Sequence, residues 1–513
     1  MLAELWTLGL KGIDGFKIRV EVDIASGLPS YAVVGLPDAA IKESKGRVAA
    51  AVRNSGFDFP VKKITVNLSP AEVKKTGTHF DLPIALGVLA ASGNIDKKAA
   101  CSFETSVFIG ELALDGSLRP VAGVLPMLLA LKKTGDIKAV IVPRENSAEA
   151  AVSGLNCLYA ETLKDAAAWL AGAGELSVCK AVQFPGRGCA LGDLCEVKNQ
   201  ALAKRALEIA AAGFHNVIMV GPPGAGKSML AKRFGSILPP LTADEALEAT
   251  KIYSVSGLIK SSSLITERPF REPHHSISDA ALIGGGAVPR PGEVSLAHNG
   301  VLFLDEFTEF SRPAREALRE PLESWQVTVS RVKDTVTYPA RCLLIAAMNP
   351  CPCGYFGHPT RECSCTPLQI HKYRARVSGP LMDRIDIHLQ LSPIKYADWE
   401  GLPKGESSST VAERVAGAMA VQQERFKGSK TRANAFMGVR ELREHCRLPE
   451  GASNLLETAM NKLGFSARSL DKILKLARTI ADLDGAAGLK KEHVIETMQY
   501  RTLDKTVEFV SKY

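Results

Sequence analysis

At 513 residues the chain is too long for one hydrophobic core, so about two to four domains are expected. Its 46% hydrophobic and 23% charged residues are ordinary for a globular protein, with no apolar run long enough to span a bilayer and no basic-then-apolar leader in Met1-Leu-Ala-Glu-Leu-Trp6; a cytoplasmic protein with no membrane partner is expected. A net charge of +8 permits a nucleic-acid partner without requiring one, and eleven cysteines in that compartment argue against a disulfide framework.

Residues 1–170 alternate β-rich runs (16–24, 63–68, 107–112) with alanine-rich helical stretches, the pattern of an α/β domain. Residues 171–190, with Gly172-Ala-Gly174 and Phe184-Pro-Gly-Arg-Gly188, read as a turn-rich linker. Residues 191–395 hold a phosphate loop and the groups that should work with it. Residues 396–513 follow, opening on the exposed-looking Glu406-Ser-Ser-Ser-Thr410 and then largely helical, as in 470–483.

The strongest signal is the run Gly221, Pro222, Pro223, Gly224, Ala225, Gly226, Lys227, Ser228, which matches G-x-x-x-x-G-K-[ST]. An apolar strand (217–220) precedes it, and a helix is predicted from Met229 onward, the residue that closes the nucleotide-binding stretch. Glycines let backbone N–H groups curl round an anion, and the helix N-terminus adds partial positive charge. Lys227 is placed for the β- and γ-phosphates of ATP and Ser228 for Mg²⁺.

Roughly seventy residues separate Ser228 from the next apolar strand (301–304), more than a strand–helix–strand unit needs. The excess includes Gly284-Gly-Gly286 and Pro289-Arg-Pro-Gly292, a flexible loop with a cation, suited to gripping a phosphate backbone. Gln326-Val-Thr-Val-Ser-Arg-Val332 is a second candidate and presents Arg331; a solvated loop and an edge-strand arginine are the competing readings. His274-His275 has no metal-ligand spacing, so structural hydrogen bonding is expected there. Strand 301–304 ends in Asp305-Glu306, placing Asp305 to hold the metal and Glu306 to orient water. A third strand (342–348) ends in Asn349, which could bond the γ-phosphate or the water.

Cys351, Cys353, Cys363 and Cys365 frame a short loop with little apolar core. Four thiolates can close a structural Zn²⁺ site; reduced cysteines or an iron–sulfur centre are alternatives, and His358 could replace one sulfur. Arg384 and Arg468 offer cationic forks suited to charge on a transferring phosphoryl group.

These motifs resemble the ComM/YifB family of magnesium-chelatase-like AAA+ ATPases. The resemblance is carried by Arg268-Pro-Phe-Arg-Glu-Pro-His-His-Ser276, Leu282-Ile-Gly-Gly-Gly286, the run from Pro289 to Glu306, Ala347-Met-Asn-Pro-Cys-Pro-Cys-Gly-Tyr355, 377–386 and Ala477-Arg-Thr-Ile-Ala-Asp-Leu483. It covers essentially the whole chain. It implies an α/β fold with a P-loop AAA+ core and a helical lid, preceded by a Lon-protease-like (ribosomal S5-like) α/β domain. It implies that Asn349 is sensor 1, Arg384 a finger reaching a neighbouring subunit's ATP, and Arg468 the sensor 2 arginine, hence a homohexamer. Residues 193–200 resemble the segment covering adenine, with Asn199 where glycine is usual.

In the first region, 78–86 and 110–124 resemble Lon-type proteases, with Ile84 and Leu125 where the serine nucleophile and its lysine would stand. Neither can act as nucleophile or base, so no peptidase activity is expected. Lys62-Lys63 and Lys74-Lys75 could guide nucleic acid or form a solvated face. The resemblance implies an ATP-driven motor on DNA, with helicase or branch-migration activity in recombination and natural transformation. The alternative is an ATP-driven chaperone of metal-chelatase type acting on a protein partner.

Overall fold

The computed structural model describes residues 2–95, 103–132, 135–180, 192–259, 264–286, 289–330, 335–393, 405–449, 451–454, 456, 467–501 and 503. The chain divides into two compact units. The first comprises Met1–Pro185, Ala243–Ile265 and Ser330–Tyr338; the second comprises Gly186–Thr242, Thr266–Val329 and Pro339–Tyr513.

The first unit is built on a mixed eight-stranded sheet. In spatial order its strands are Ser177–Val178, Cys157–Ala160, Ala139–Pro143, Ser106–Phe108, Leu2–Lys11, Asp14–Ala25, Lys63–Ser69 and Ser30–Val34. Along Asp14–Ala25, Ile18, Val20, Val22 and Ile24 are buried while Arg19 and Asp23 are exposed, the period of two expected of a sheet with one covered face. The helix Asp81–Ser92 is buried from Asp81 to Ala91 and lies against the two longest strands. Gly87 allows that approach, since a Cβ there would fall 2.5 Å from a Val22 methyl. Ile84 and Leu125 are both fully buried in this unit's apolar interior. Lys75 departs from both roles considered for the Lys74-Lys75 pair. Its side chain is buried, with Nζ donating to the Pro70 carbonyl, so it neither guides a ligand nor faces solvent. Lys62, Lys63 and Lys74 are exposed.

The helix Ala243–Val255 belongs to this first unit although it lies between the two nucleotide motifs in sequence. Ser254 donates to the buried Glu149 carboxylate, which also accepts from the Leu125 N–H at 2.9 Å and from Asn146 at 3.2 Å. Burial raises the Glu149 pKa, partly offset by those three donors.

The second unit carries a five-stranded, all-parallel sheet in the order Phe270–Arg271, Val301–Leu304, Leu343–Met348, Val217–Val220, Ile387–Gln390. The last four strands are almost wholly apolar, as strands covered on both faces must be. Helices Ser408–Arg425, Val439–His445, Ala467–Leu483 and Lys491–Gln499 complete the unit. In Ala467–Leu483, Ile473, Leu476, Ala477, Ile480 and Ala481 are buried at the spacing of a core-facing helical stripe. Among the described residues no helix is long and apolar enough to cross a membrane.

Gly300 is where close approach decides the sheet. Val301 N–H donates to the Pro269 carbonyl at 2.8 Å, and a Cβ on Gly300 would stand 2.0 Å from that oxygen. Gly300→Ala should therefore destabilise by about 1–3 kcal/mol or more, seen as a lowered melting temperature. Gly417 lies exposed in the helix Ser408–Arg425 with no atom within 4 Å of its missing Cβ, so Gly417→Ala should raise stability by about 0.5–1 kcal/mol in the same melt.

Candidate nucleotide site

Parallel strands deliver their carboxyl ends to one edge of the sheet, and the register decides which residues meet there. Val220 pairs with Met348 and Leu304 with Ala346, so the loop from Gly221, the pair Asp305-Glu306, and Asn349 emerge side by side. Gly224 and Gly226 sit at φ +78° and +86°, conformations that favour glycine, and Gly226 caps the helix Lys227–Phe234. Lys227 is buried. Its ammonium donates to the Gly221 carbonyl at 2.5 Å, the Pro222 carbonyl at 3.1 Å and Asn349 Oδ1 at 3.0 Å. Burial lowers its pKa, with Asp305 and Glu306 pulling the other way.

Ser228 Oγ donates to Asp305 Oδ2 at 2.6 Å. That pair brings together the hydroxyl and carboxylate that P-loop enzymes use around Mg²⁺, while the glycine-lined loop leaves room for phosphate, so the residues present fit ATP and Mg²⁺. Met229 is 42% exposed at the rim. Glu306 adopts φ +50°, rare outside glycine, and turns its side chain out of the strand line to stand 58% exposed. His275 Nδ1 lies 3.2 Å from Glu306 Oε2, and the His274 and His275 rings lie 4.1 Å apart, tilted by 34°. The hydrogen bonding expected of this histidine pair thus reaches the acidic motif, a contact between residues far apart in sequence that no local pattern announces.

The segment before the loop keeps its turn despite Asn199. Asn199 and Gln200 are both left-handed, at φ +57° and +65°, a region asparagine tolerates. Gln200 Nε2 then donates to the Ser392 carbonyl at 2.8 Å, while Asp193 Oδ1 accepts from the Cys195 and Ser408 N–H groups at 2.7 and 3.0 Å. In the glycine-rich stretch after Ile283, Gly284–Gly285 pairs antiparallel with Arg290–Pro291. The strands Gln326–Ser330 and Thr335–Pro339 flank Arg331 in sequence, and Arg331 itself lies outside the described residues.

Arg384 and Arg468 are placed elsewhere. Arg384 precedes the strand whose Ile387 pairs with Val217, so it stands at the amino edge of the sheet, roughly 10 Å of strand from the phosphate loop. Its guanidinium pairs with Glu323 and donates to the Pro380 carbonyl at 2.7 Å, while its Nε is buried without a partner among the described residues. A cavity of about 280 Å³ here is lined by Arg384, Arg468, Lys472, Lys475, Glu323 and Trp325 among others. The two arginines therefore share one cavity, away from Lys227.

The four cysteines converge. All four Sγ atoms lie within 4.8 Å of one another, with separations of 3.4, 3.5 and 3.7 Å among Cys351, Cys353 and Cys363. His358 is not in the cluster; its Nδ1 accepts from the Thr360 and Arg361 N–H groups at 3.2 and 3.1 Å.

A parallel sheet with a phosphate loop, and with Asp-Glu and Asn on adjacent strand ends, has the build of a P-loop ATPase core. Family models agree: "Magnesium chelatase, subunit ChlI" matches residues 193–399, "Subunit ChlI of Mg-chelatase" residues 20–146, and "Magnesium chelatase, subunit ChlI C-terminal" residues 405–501. The chain is 43% identical to the uncharacterized protein YifB of Salmonella typhimurium, over 100% of this chain and 99% of that protein. It is 40% identical to the competence protein ComM of Haemophilus influenzae, over 99% of each. A shorter match, 29% identical over 26% of this chain and 15% of the other, is to the DNA replication licensing factor mcm7 of Schizosaccharomyces pombe. The chain belongs to the ComM/YifB family, whose AAA+ core implies hydrolysis of ATP with Mg²⁺.

Next to Arg384, Asp386 is nearly buried. Lys472 Nζ lies 2.5 Å from Oδ1, the Asn216 N–H donates to Oδ2 at 3.0 Å, and His215 Nδ1 lies 3.6 Å away. Burial alone would raise this carboxyl's pKa; Lys472 and His215 outweigh it and hold it far below the usual range. A depressed carboxyl stabilises fully above its unfolded value of about 4 and loses that contribution only as pH falls through the folded value. Asp386→Asn strands Lys472 and should destabilise by about 3–5 kcal/mol throughout pH 5–8, measured by urea unfolding.

Proposed function

We propose that this chain is an ATP-driven motor that acts on DNA as a homohexamer, with helicase or branch-migration activity in recombination of incoming DNA during natural transformation. The observation that carries the reading is the split between sheet edges: Lys227, Ser228, Asp305, Glu306 and Asn349 at one, Arg384 and Arg468 at the other. A guanidinium separated from its own phosphate loop by the strand length is useful to hydrolysis only at the loop of an adjacent copy, and a closed ring of such head-to-tail contacts gives each site its arginines.

In this reading Lys227 binds the β- and γ-phosphates, and Asn349, already bonded to Lys227, holds it in line and meets the γ-phosphate. Ser228 and Asp305 hold Mg²⁺, which neutralises phosphate charge when bound. Glu306 orients the water and takes its proton, and His275 positions Glu306. Residues 221–229 wrap the nucleotide, and Arg384 and Arg468 meet the charge that develops on the neighbour's phosphoryl group. Four thiolates at Cys351, Cys353, Cys363 and Cys365 hold a structural Zn²⁺. The division into 1–170, 171–190, 191–395 and 396–513 is read as a scaffold domain, its linker, the motor core, and the lid with C-terminal domain, except that Ser177–Val178, Ala243–Ile265 and Ser330–Tyr338 fold with the scaffold unit. DNA as the track is supported by the names of two relatives, a competence protein and a replication licensing factor. The magnesium-chelatase description of the family favours one other reading, a chaperone that remodels a protein partner.

Arg384→Ala and Lys227→Ala chains should each lose ATP turnover by about 10³-fold or more, and mixing the two should restore part of it, because a mixed interface joins an intact loop to an intact arginine. Full turnover by Arg384→Ala alone refutes the shared site. Glu306→Gln should bind ATP normally and turn it over about 10²–10⁴-fold more slowly. ATPase activity should rise with single-stranded or branched DNA, and that stimulation should fall steeply between 50 and 200 mM salt. Stimulation by a protein partner and by no DNA selects the chaperone instead.

A further inference from the structure

We propose that the metal at the cysteine cluster braces the phosphate loop, so that nucleotide affinity depends on an ion that touches neither nucleotide nor water; this rests on the zinc reading above. The spacing of the sulfurs selects the ion class. Tetrahedral Zn²⁺ with Zn–S bonds of about 2.3 Å sets its thiolates about 3.8 Å apart. The 3.4–3.7 Å separations among Cys351, Cys353 and Cys363 lie near that value, well beyond the roughly 2.05 Å of a disulfide, and Cys365 Sγ lies within 4.8 Å of all three. A multi-iron cluster spreads its thiolates over several irons and needs a wider set. Backbone N–H groups already point at the sulfurs: Phe356 N–H at Cys351 Sγ, 3.3 Å, and Cys353 N–H at Cys365 Sγ, 3.4 Å. Such donors stabilise negative sulfur, the form a metal requires.

The cluster is joined to the loop by two short routes. Along the chain, Asn349 bonds the Lys227 ammonium at 3.0 Å, the Pro350 carbonyl accepts from Arg374 Nε at 3.0 Å, and the next residue is the buried ligand Cys351. Through space, Gly354 backs directly onto Pro223. Its φ is +84°, and a Cβ there would fall 2.8 Å from Pro223 Cδ and 3.0 Å from Cγ. Gly354 lies between the ligands Cys353 and Cys363 in sequence, so the metal fixes the wall against which the phosphate loop rests. Other side-chain support of the cysteine segment lies near the surface: Phe356 is 44% exposed beneath the Arg374 guanidinium at 5.0 Å, and Arg361 bonds the Tyr355 hydroxyl. Without the ion, Asn349 and Pro223 lose their backing together.

The test uses the full chain purified under reducing conditions. Elemental analysis should find about one zinc per chain, released by a thiol-directed mercurial and read with a zinc-sensitive dye. The dissociation constant of a fluorescent ATP analogue should weaken about tenfold on stripping and recover when thiol and Zn²⁺ are returned, with far-ultraviolet circular dichroism unchanged. Gly354→Ala keeps all four ligands and presses on Pro223; it should retain zinc and still bind the analogue several-fold more weakly. Iron or no metal overturns the zinc assignment and the brace with it. Zinc present, but with affinity within twofold after stripping and in Gly354→Ala, overturns the brace alone. Lys227→Ala, expected to lose the analogue with zinc retained, reports the nucleotide site independently of the metal.

Discussion

Everything at the nucleotide site depends on one register, Val220 opposite Met348 and Leu304 opposite Ala346. Because the strands are parallel, that register brings the phosphate loop, an acidic pair and an amide to one edge without any of them being near in sequence. Sliding one strand by a residue would exchange the side chains packed on its two covered faces, undoing their fit, and would break the Lys227–Asn349 bond at once. The apolar strands therefore do two jobs with the same contacts. They bury the sheet on both faces, and they hold the polar residues at their ends to within a hydrogen bond of one another.

The opposite edge adds buried charge to its apolar packing, in which Leu381, Ile385 and Ile387 are fully buried. Asp386 is locked by Lys472 and the Asn216 N–H, and the same helix continues through Thr479 and Asp482, which gather His215, Asn434, Arg425 and Arg478. Buried charges of this kind add little net stability over a well-packed apolar core, yet they are unforgiving of geometry. Such rigidity suits the segment Asp383–Asp386. If Arg384 serves another subunit's nucleotide, its placement must be set by the helical region of its own chain, and Lys472 on Asp386 is that connection. The Glu323 contact then holds the arginine when no phosphate is there to take it.

Much of this second unit was legible in the chain because its signals are local. A glycine-rich loop between an apolar strand and a helix, or an apolar strand ending in Asp-Glu, needs no knowledge of the fold. The cysteine tetrad was legible for the same reason, and so was the helical stripe from Ile473 to Ala481. What could not be read locally is who meets whom: His275 on Glu306, Glu323 on Arg384, Gly354 on Pro223. Each joins segments whose separation in sequence carries no periodic mark. Lys75 shows the reverse error. A lysine pair reads as a charged surface, yet a bend through Leu36 and Pro37 brings the chain round so that the Lys75 N–H and carbonyl are bonded and its side chain is enclosed.

The long stretch between Ser228 and Asp305 shows how a correct count can still mislead about organisation. The excess length is real, but only part of it is the glycine-rich element. Ala243–Ile265 folds with the first unit, its helix bedded against Val124–Leu131 and its Ser254 on the buried carboxylate of Glu149. Glu149 also takes the backbone N–H of Leu125, where a peptidase of similar pattern would carry its lysine. A buried carboxylate with three donors is costly to leave unsatisfied, so the loss of Ser254 would be felt at that position first. The first unit is therefore completed by residues encoded within the nucleotide-binding region, and cutting the chain at the apparent linker would remove a helix from its core.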